Sequence, residues 1–211
     1  MILRTCVVGV GRLGAEHARL LDDLPGGLLV GVHDRDADRA AAVAARLGVR
    51  RFDDLDRLLA ASDAAVVAVP TTQHYDVARR ALEAGCHVLV EKPIARTIDE
   101  ADALVALAEA RGRVLAVGHV ERFNSVLLRC APLVDRPRFI ESLRLAPFQP
   151  RGTEVTVILD LMIHDIDLVL GLADSALREV SAVGVPVMTR SVDIANARLV
   201  FESGMVASIT A

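Results

Sequence analysis

The chain is poor in aromatic residues: its 211 positions hold one Tyr, no Trp and five Phe. A core must then come from Ala, Val, Leu and Ile, and with 53% of residues apolar there is ample material for one. That composition suits strands covered by helices on both faces. Cysteine is equally sparse. Cys6, Cys86 and Cys130 are odd in number and widely spaced, which excludes a disulfide framework and a CxxC zinc site. Cys6, inside an apolar run, reads as core, and Cys86-His87 lacks the third and fourth ligands of a metal site. No basic block interrupts a net charge of −4, so nucleic acid and anionic lipid are excluded as main partners. No apolar run reaches about 18 residues without a charge, so no membrane-spanning helix is expected. Met1-Ile2-Leu3-Arg4-Thr5 enters a strand without the charged-then-apolar layout of a signal peptide, and a cytoplasmic location is the expectation.

What is present is alternation. Apolar runs at Leu3–Val8, Leu28–His33, Ala64–Val69, His87–Val90 and Val114–Val117 read as strands. Between them lie helical segments: Leu13–Leu24, a helix capped by Asp36 and stopped by Gly48, Gln73–Ala84, and one opened by Thr97 and Glu100 at capping-box spacing. This pattern predicts an α/β fold, a doubly wound parallel sheet over residues 1–118. After Gly118 the texture changes. A helix is expected over Glu121–Leu133, a strand over Arg138–Leu145, a helix over Val155–Leu170, and strands over Ala176–Val187, Ile194–Phe201 and Met205–Ile209. Residues 119–211 therefore read as a second, α+β domain of mainly antiparallel strands, and 211 residues suit one full domain plus a smaller one.

Gly9-Val10-Gly11-Arg12-Leu13-Gly14 is GxGxxG placed between the first strand and the first helix. In that setting Gly9 permits a tight turn, Gly11 lets a pyrophosphate approach the backbone, and Gly14 lets helix and strand pack closely. Free N–H groups and the helix dipole favour the anion. Asp34 follows Gly14 by 20 residues at the end of the second strand. An acid there accepts the adenosine ribose hydroxyls and repels a 2′-phosphate, which puts NAD ahead of NADP, although the neighbouring Arg35 could pair with that phosphate.

Lys92 stands at the carboxyl end of a parallel strand, where ligands bind in such sheets, and Pro93 makes the bond after it a candidate for cis. In the segment 155–170, apolar almost all round, Asp160, His164 and Asp167 fall at i, i+4 and i+7 and form one narrow polar stripe. Acids beside an imidazole in such a helix are costly unless paired or turned to a cleft. Asp160 can hold the His164 ring, and His164 can take a proton from a substrate hydroxyl. Asp165 and Asp167 are the better candidates for pairing with an Arg.

Together with the glycine loop, Pro70-Thr71-Thr72-Gln73-His74, Glu91-Lys92-Pro93 and Asp160-Leu161-Met162-Ile163-His164-Asp165 resemble the glucose–fructose oxidoreductase/inositol dehydrogenase (Gfo/Idh/MocA) family of sugar dehydrogenases, over the whole chain. The resemblance implies an NAD(P)-dependent dehydrogenase of CH–OH groups in which Lys92, Asp160 and His164 act together and no metal is needed. It implies that Arg12, Leu13, Pro70, Thr71, His74, Glu91 and Pro93 line the cofactor with the glycines, Asp34, Arg35 and Lys92. Thr72 stands where the family has Asn, and His74 is offset by one position. Gly118–Asn124 resembles the family's junction between domains, which makes Arg122 and Asn124 candidates for substrate contact beside Lys92 and His164. The runs Asp160–Leu168 and Asp193–Phe201 look similar to relatives that oxidise C3 of UDP-linked amino sugars, so the implied substrate is a sugar, nucleotide-sugar or cyclitol. The family's chains usually continue further, so the second domain is expected to be truncated; a homo-oligomer through the C-terminal sheet is also implied. Two readings of another class stay open: a non-catalytic dinucleotide-binding regulatory module, and a reductase of a non-sugar substrate.

Overall fold

The structure is a computed structural model that describes residues 2–147 and 155–211. Up to Gly118 the chain alternates β1 (Leu3–Val8), α1 (Arg12–Asp22), β2 (Gly27–His33), α2 (Ala37–Leu47), β3 (Arg50–Arg51), α3 (Leu55–Ala60), β4 (Ala64–Val67), α4 (His74–Glu83), β5 (His87–Val90), α5 (Ile98–Ala110) and β6 (Leu115–Val117). All six strands are parallel, in the order β3-β2-β1-β4-β5-β6. The reversal of direction between β1 and β4 is the switch point at which such sheets take ligands.

The winding is double because each strand is apolar on both sides. Cys6 and Val8 of β1 join a cluster with Leu58 of α3, Leu82 of α4 and Leu104 of α5. Val7, between them, joins Ala18 of α1 and Ala40 and Val43 of α2. Burial of Cys6 pushes its thiol up to about 12, and Cys86 is buried too, so both behave as core. The helix signals act as the residues dictate. Asp36 accepts the Arg39 N–H at 3.0 Å to open α2, and Gly48 closes it in the left-handed region. Thr97 accepts the Glu100 N–H at 3.2 Å, while Glu100 reaches back to the Arg96 N–H rather than to that of Thr97. The short β3 and α3 lie between the helix stopped by Gly48 and the apolar run of β4, each too brief to show a period in the sequence.

From His119 the chain forms a second unit. A 3₁₀ turn (Val120–Phe123), α6 (Ser125–Cys130) and another 3₁₀ turn (Ala131–Leu133) replace the single helix expected over 121–133. The break has a local cause: Asn124 Oδ1 accepts the Val126 N–H at 3.0 Å and starts a new helix, and Pro132 has no amide to continue it. There follow β7 (Phe139–Leu143), a π-helical turn (Ile158–Met162) running into α7 (Ile163–Ala173), then β8 (Leu177–Val185), β9 (Ile194–Phe201) and β10 (Val206–Thr210). The sheet order is β7-β10-β9-β8, antiparallel except for β7 with β10. Met162, Val169 and Ala173 pack on Ala195, Ala197, Leu199 and Phe201 of β9 and Ala207 and Ile209 of β10, the inward residues of a period-2 alternation. All nine residues of edge strand β8 are exposed. Among the described residues no helix is long and apolar enough to cross a membrane.

Candidate active site

The three motif glycines each meet a different constraint. Gly9 has φ +85°, and a Cβ there would lie 2.7 Å from the Ala68 carbonyl oxygen. A Cβ on Gly14 would fall 1.8 Å from the Gly9 carbonyl oxygen, so α1 can cross the loop this closely only without a side chain. A Cβ on Gly11 would meet nothing within 4 Å: the space above that backbone is open. Gly11 is also the N-cap of α1, with no side chain capping it and no acid in the first turn. The first amides of the helix are left for an incoming anion.

Asp34 closes the loop from the other side. Its Oδ2 accepts the Val10 N–H at 2.8 Å and its Oδ1 accepts the Asp36 N–H at 2.9 Å. A carboxylate has about four acceptor positions, so room remains for ribose hydroxyls. Arg39 stands 3.4 Å from Asp34 and also pairs with Asp36 at 3.0 Å, while Arg35 is exposed. Open space over Gly11, uncapped amides and a ribose acid fit a dinucleotide. Arg12 and Leu13 are exposed on the first turn of α1.

The carboxyl ends of β4 and β5 carry the next group. Pro70 is exposed and Thr71 half-buried in the 3₁₀ turn that opens α4. His74 is buried, with Nδ1 2.7 Å from the Pro93 carbonyl oxygen and Nε2 2.9 Å from that of Val69. Its ring joins the two loops instead of facing outward. The Lys92–Pro93 bond is cis. Glu91 is buried, with Oε1 2.7 Å from His17 Nε2 and Oε2 accepting the Lys92 N–H at 3.3 Å. Burial pushes its carboxyl up, yet the His17 bond and charge, the Lys92 amide and the Lys92 charge together hold it below its ordinary value.

In the second unit, Asp160 lies in the π turn and His164 on the first turn of α7, both half-buried. The Ile163 N–H reaches back five residues to the Ile158 carbonyl, which puts the wider turn between Asp160 and His164. Asp165 and Asp167 each pair with an arginine. Arg144 donates to Asp165 at 2.6 and 3.1 Å. Arg122 grips Asp167 with two bonds, one of 2.6 Å, and holds that carboxyl below its ordinary value, with His119 and His164 adding to the effect. His119 Nδ1 is 3.9 Å from Asp167. Asn124 spends its side-chain oxygen on capping α6. Among the described residues no His, Cys, Asp or Glu cluster could hold a metal ion.

Sequence reasoning passed over His17 and His119. His17 is three residues after Gly14, on the helix face that Gly14 presses to the sheet, and that spacing was the available signal. His119 lies within Gly118–Asn124, with no spacing in the sequence that sets it apart.

The fold and the loop define a class. Residues 3–119 match the family described as "Oxidoreductase family, NAD-binding Rossmann fold", and the chain belongs to this Gfo/Idh/MocA family. Within it, the chain is 44% identical over 211 residues to the UDP-N-acetylglucosamine 3-dehydrogenase of Acidithiobacillus ferrooxidans, covering 99% of this chain and 66% of that one. A solved structure of that enzyme superposes with a TM-score of 0.93 at 43% identity, over 99% of this chain and 68% of the other. The scyllo-inositol 2-dehydrogenase (NAD(+)) of Bacillus subtilis is 28% identical, over 99% of this chain and 67% of its own length. GenD2 from gentamicin A biosynthesis, solved in complex with NAD, aligns with a TM-score of 0.89 at 29% identity, over 99% of this chain and 65% of that one. The chain thus spans about two thirds of the length of these relatives.

Proposed function

We propose that the chain acts as an NAD-dependent dehydrogenase on a hydroxyl-bearing carbon of a nucleotide-linked amino sugar, with Lys92, Asp160 and His164 as its catalytic residues. The observation that carries this reading is the glycine loop, with its open space above Gly11 and the Asp34 carboxylate turned to the Val10 amide. Likeness to the Acidithiobacillus enzyme over 99% of the chain supports the nucleotide-sugar class over cyclitols.

Gly9, Gly11 and Gly14 with the first amides of α1 receive the pyrophosphate, and Asp34 takes the ribose hydroxyls and disfavours a 2′-phosphate. When bound, the nicotinamide supplies the hydride acceptor. His164 accepts the hydroxyl proton as the carbon gives up hydride, Asp160 orients and steadies the ring as it charges, and the Lys92 ammonium hydrogen-bonds the developing carbonyl oxygen. Arg122, paired to Asp167, whose carboxyl also feels His164, is the candidate for substrate contact in the second unit, with Asn124, whose side-chain oxygen caps α6, beside it in sequence. Assembly of two copies through the four-stranded sheet belongs to the same proposal, supported by Val183 and Val185, exposed on the face of β8 that carries Asn196 and Ile194 of β9. So does a reducing, cytoplasmic location, which suits three unpaired cysteines.

The test is calorimetric titration of the chain with NADH and NADPH, followed by turnover of UDP-linked amino sugars and of inositols. NADH binding that Gly11→Val abolishes, with UDP-sugar oxidation that Lys92→Ala and His164→Ala each reduce about 10³-fold or more, is the expected result. Cofactor binding with no turnover of any CH–OH substrate would favour a regulatory module.

A further inference from the structure

We infer that His17 is a positioning residue for Lys92, acting through Glu91, and so ties the reactive lysine to the helix that faces the cofactor phosphates. The inference rests on the reading of Lys92 as catalytic.

Glu91 lies where a carboxylate is largely cut off from water. It is 8% exposed, and its Oε2 sits so close to Gly118 that a Cβ there would be 2.9 Å away. An ionised group in such a place needs fixed partners. Two are in position: His17 Nε2 at 2.7 Å from Oε1, and the Lys92 backbone N–H at 3.3 Å from Oε2. The Lys92 side chain leaves the backbone one residue on, from the same amide that bonds Oε2, and its positive charge favours the ionised carboxylate. His17 and the Lys92 ammonium therefore compete for one buried carboxylate.

The fold decides this competition in favour of His17. α1 is pressed to the glycine loop through Gly14, and His17 projects one turn further along the same face, past β1 and β4 to the end of β5. A ring carried on a helix held this firmly keeps Glu91 turned to itself and to the Lys92 amide. Without His17, Glu91 lacks its strongest donor, and the remaining cation that acts on it is the ammonium next along the chain. An ammonium taken by Glu91 is withdrawn from a substrate hydroxyl. The same strut couples the two ends of the cofactor site: what fixes α1 at the pyrophosphate also fixes Glu91 at the reactive end.

The experiment reads Lys92 directly. The whole chain, as wild type, H17A, H17Q, E91Q and H17A/E91Q, is acetylated with limiting acetic anhydride at several pH values, with and without NADH, and the Lys92 peptide is quantified by mass spectrometry. H17A is expected to slow Lys92 acetylation about 3-fold or more at fixed pH, because a carboxylate partner favours the unreactive ammonium. E91Q should speed it, H17Q (still a donor) should restore the wild-type rate within about 2-fold, and H17A/E91Q should match E91Q. Where the wild type oxidises a UDP-sugar, H17A should lower kcat about 10–100-fold with the KM for NAD within about 3-fold, and H17Q should recover most of it. H17A labelling at the wild-type rate, or H17A/E91Q remaining as slow as H17A, would overturn the inference. If H17A does not fold, H17N, a donor too short to reach Glu91, takes its place. Failure of the functional reading shows separately, as a chain in which K92A leaves turnover unchanged while the labelling pattern holds.

Discussion

Asp34 Oδ2 accepts the Val10 N–H at 2.8 Å, so the residue that closes β2 also holds the glycine loop that follows β1. Truncating it removes a charge-assisted bond and a ribose acceptor together. Asp34→Ala is expected to weaken NADH binding about 30-fold, or ~2 kcal/mol, and to leave NADPH binding nearly unchanged, narrowing the gap between the cofactors. Parallel titrations with the two cofactors measure this directly; an equal loss for both would mean the carboxylate acts only on the loop.

The motif glycines should separate stability from binding. Gly11→Ala meets no neighbour within 4 Å, so its melting temperature should stay at the wild-type value while NADH affinity collapses. Gly14→Ala places a Cβ 1.8 Å from the Gly9 carbonyl oxygen, and α1 must move. A loss of about 3 kcal/mol in denaturant unfolding is expected there, along with loss of binding.

The two arginine–aspartate pairs of the second unit should differ in weight. Asp165 has a side chain only 8% exposed and Arg144 is its partner, so Arg144→Ala strands a buried carboxylate and should cost ~3 kcal/mol. Asp167 is nearly as buried, its side chain 10% exposed, but His119, with Nδ1 3.9 Å away, and His164 still act on it once Arg122 is gone; Arg122→Ala should cost about 2 kcal/mol, less than Arg144→Ala. Urea unfolding of both variants, with Arg144→Met/Asp165→Leu as a near-neutral control, tests the ranking.

Acid should loosen the hairpin between β8 and β9. Asp193 accepts the backbone N–H groups of Thr189, Val187 and Met188 at 2.6–2.8 Å and the Thr189 hydroxyl at 2.9 Å, which lowers its carboxyl from 3.8 to about 2. Because the folded value lies below the unfolded one, the carboxylate's support is complete above about pH 4 and is lost as pH falls through about 2. The amide resonances of Val187, Met188 and Thr189 should titrate together near pH 2, and Asp193→Asn should abolish that titration.

Much of this was legible in the residues. Apolar runs of four to six residues between capped helices can only be strands buried on both faces, so β1, β2, β4, β5 and β6 and the glycine loop follow from pattern alone. The alternation in Ile194–Phe201 marks β9 to the residue. α3 and β3 were missed because six and two residues are too few to establish a period. The π turn at Ile158–Met162 was invisible for another reason: a segment apolar all round gives no phase by which one extra residue per turn could be noticed. Partnerships such as His17 with Glu91 join residues far apart in the chain, and a single sequence does not pair them.

Strand β7 ends at Leu143, yet its sheet neighbour is β10, which begins only at Val206. β8, β9 and β10 can zip together through short connections, but β7 gains its ladder only after a long loop has closed, an entropic cost met late. The second unit should therefore assemble from the β8–β9–β10 meander, with β7 docking last and opening first, so that amide exchange in Phe139–Leu143 outpaces that in Ile194–Phe201 by a free-energy gap of its own.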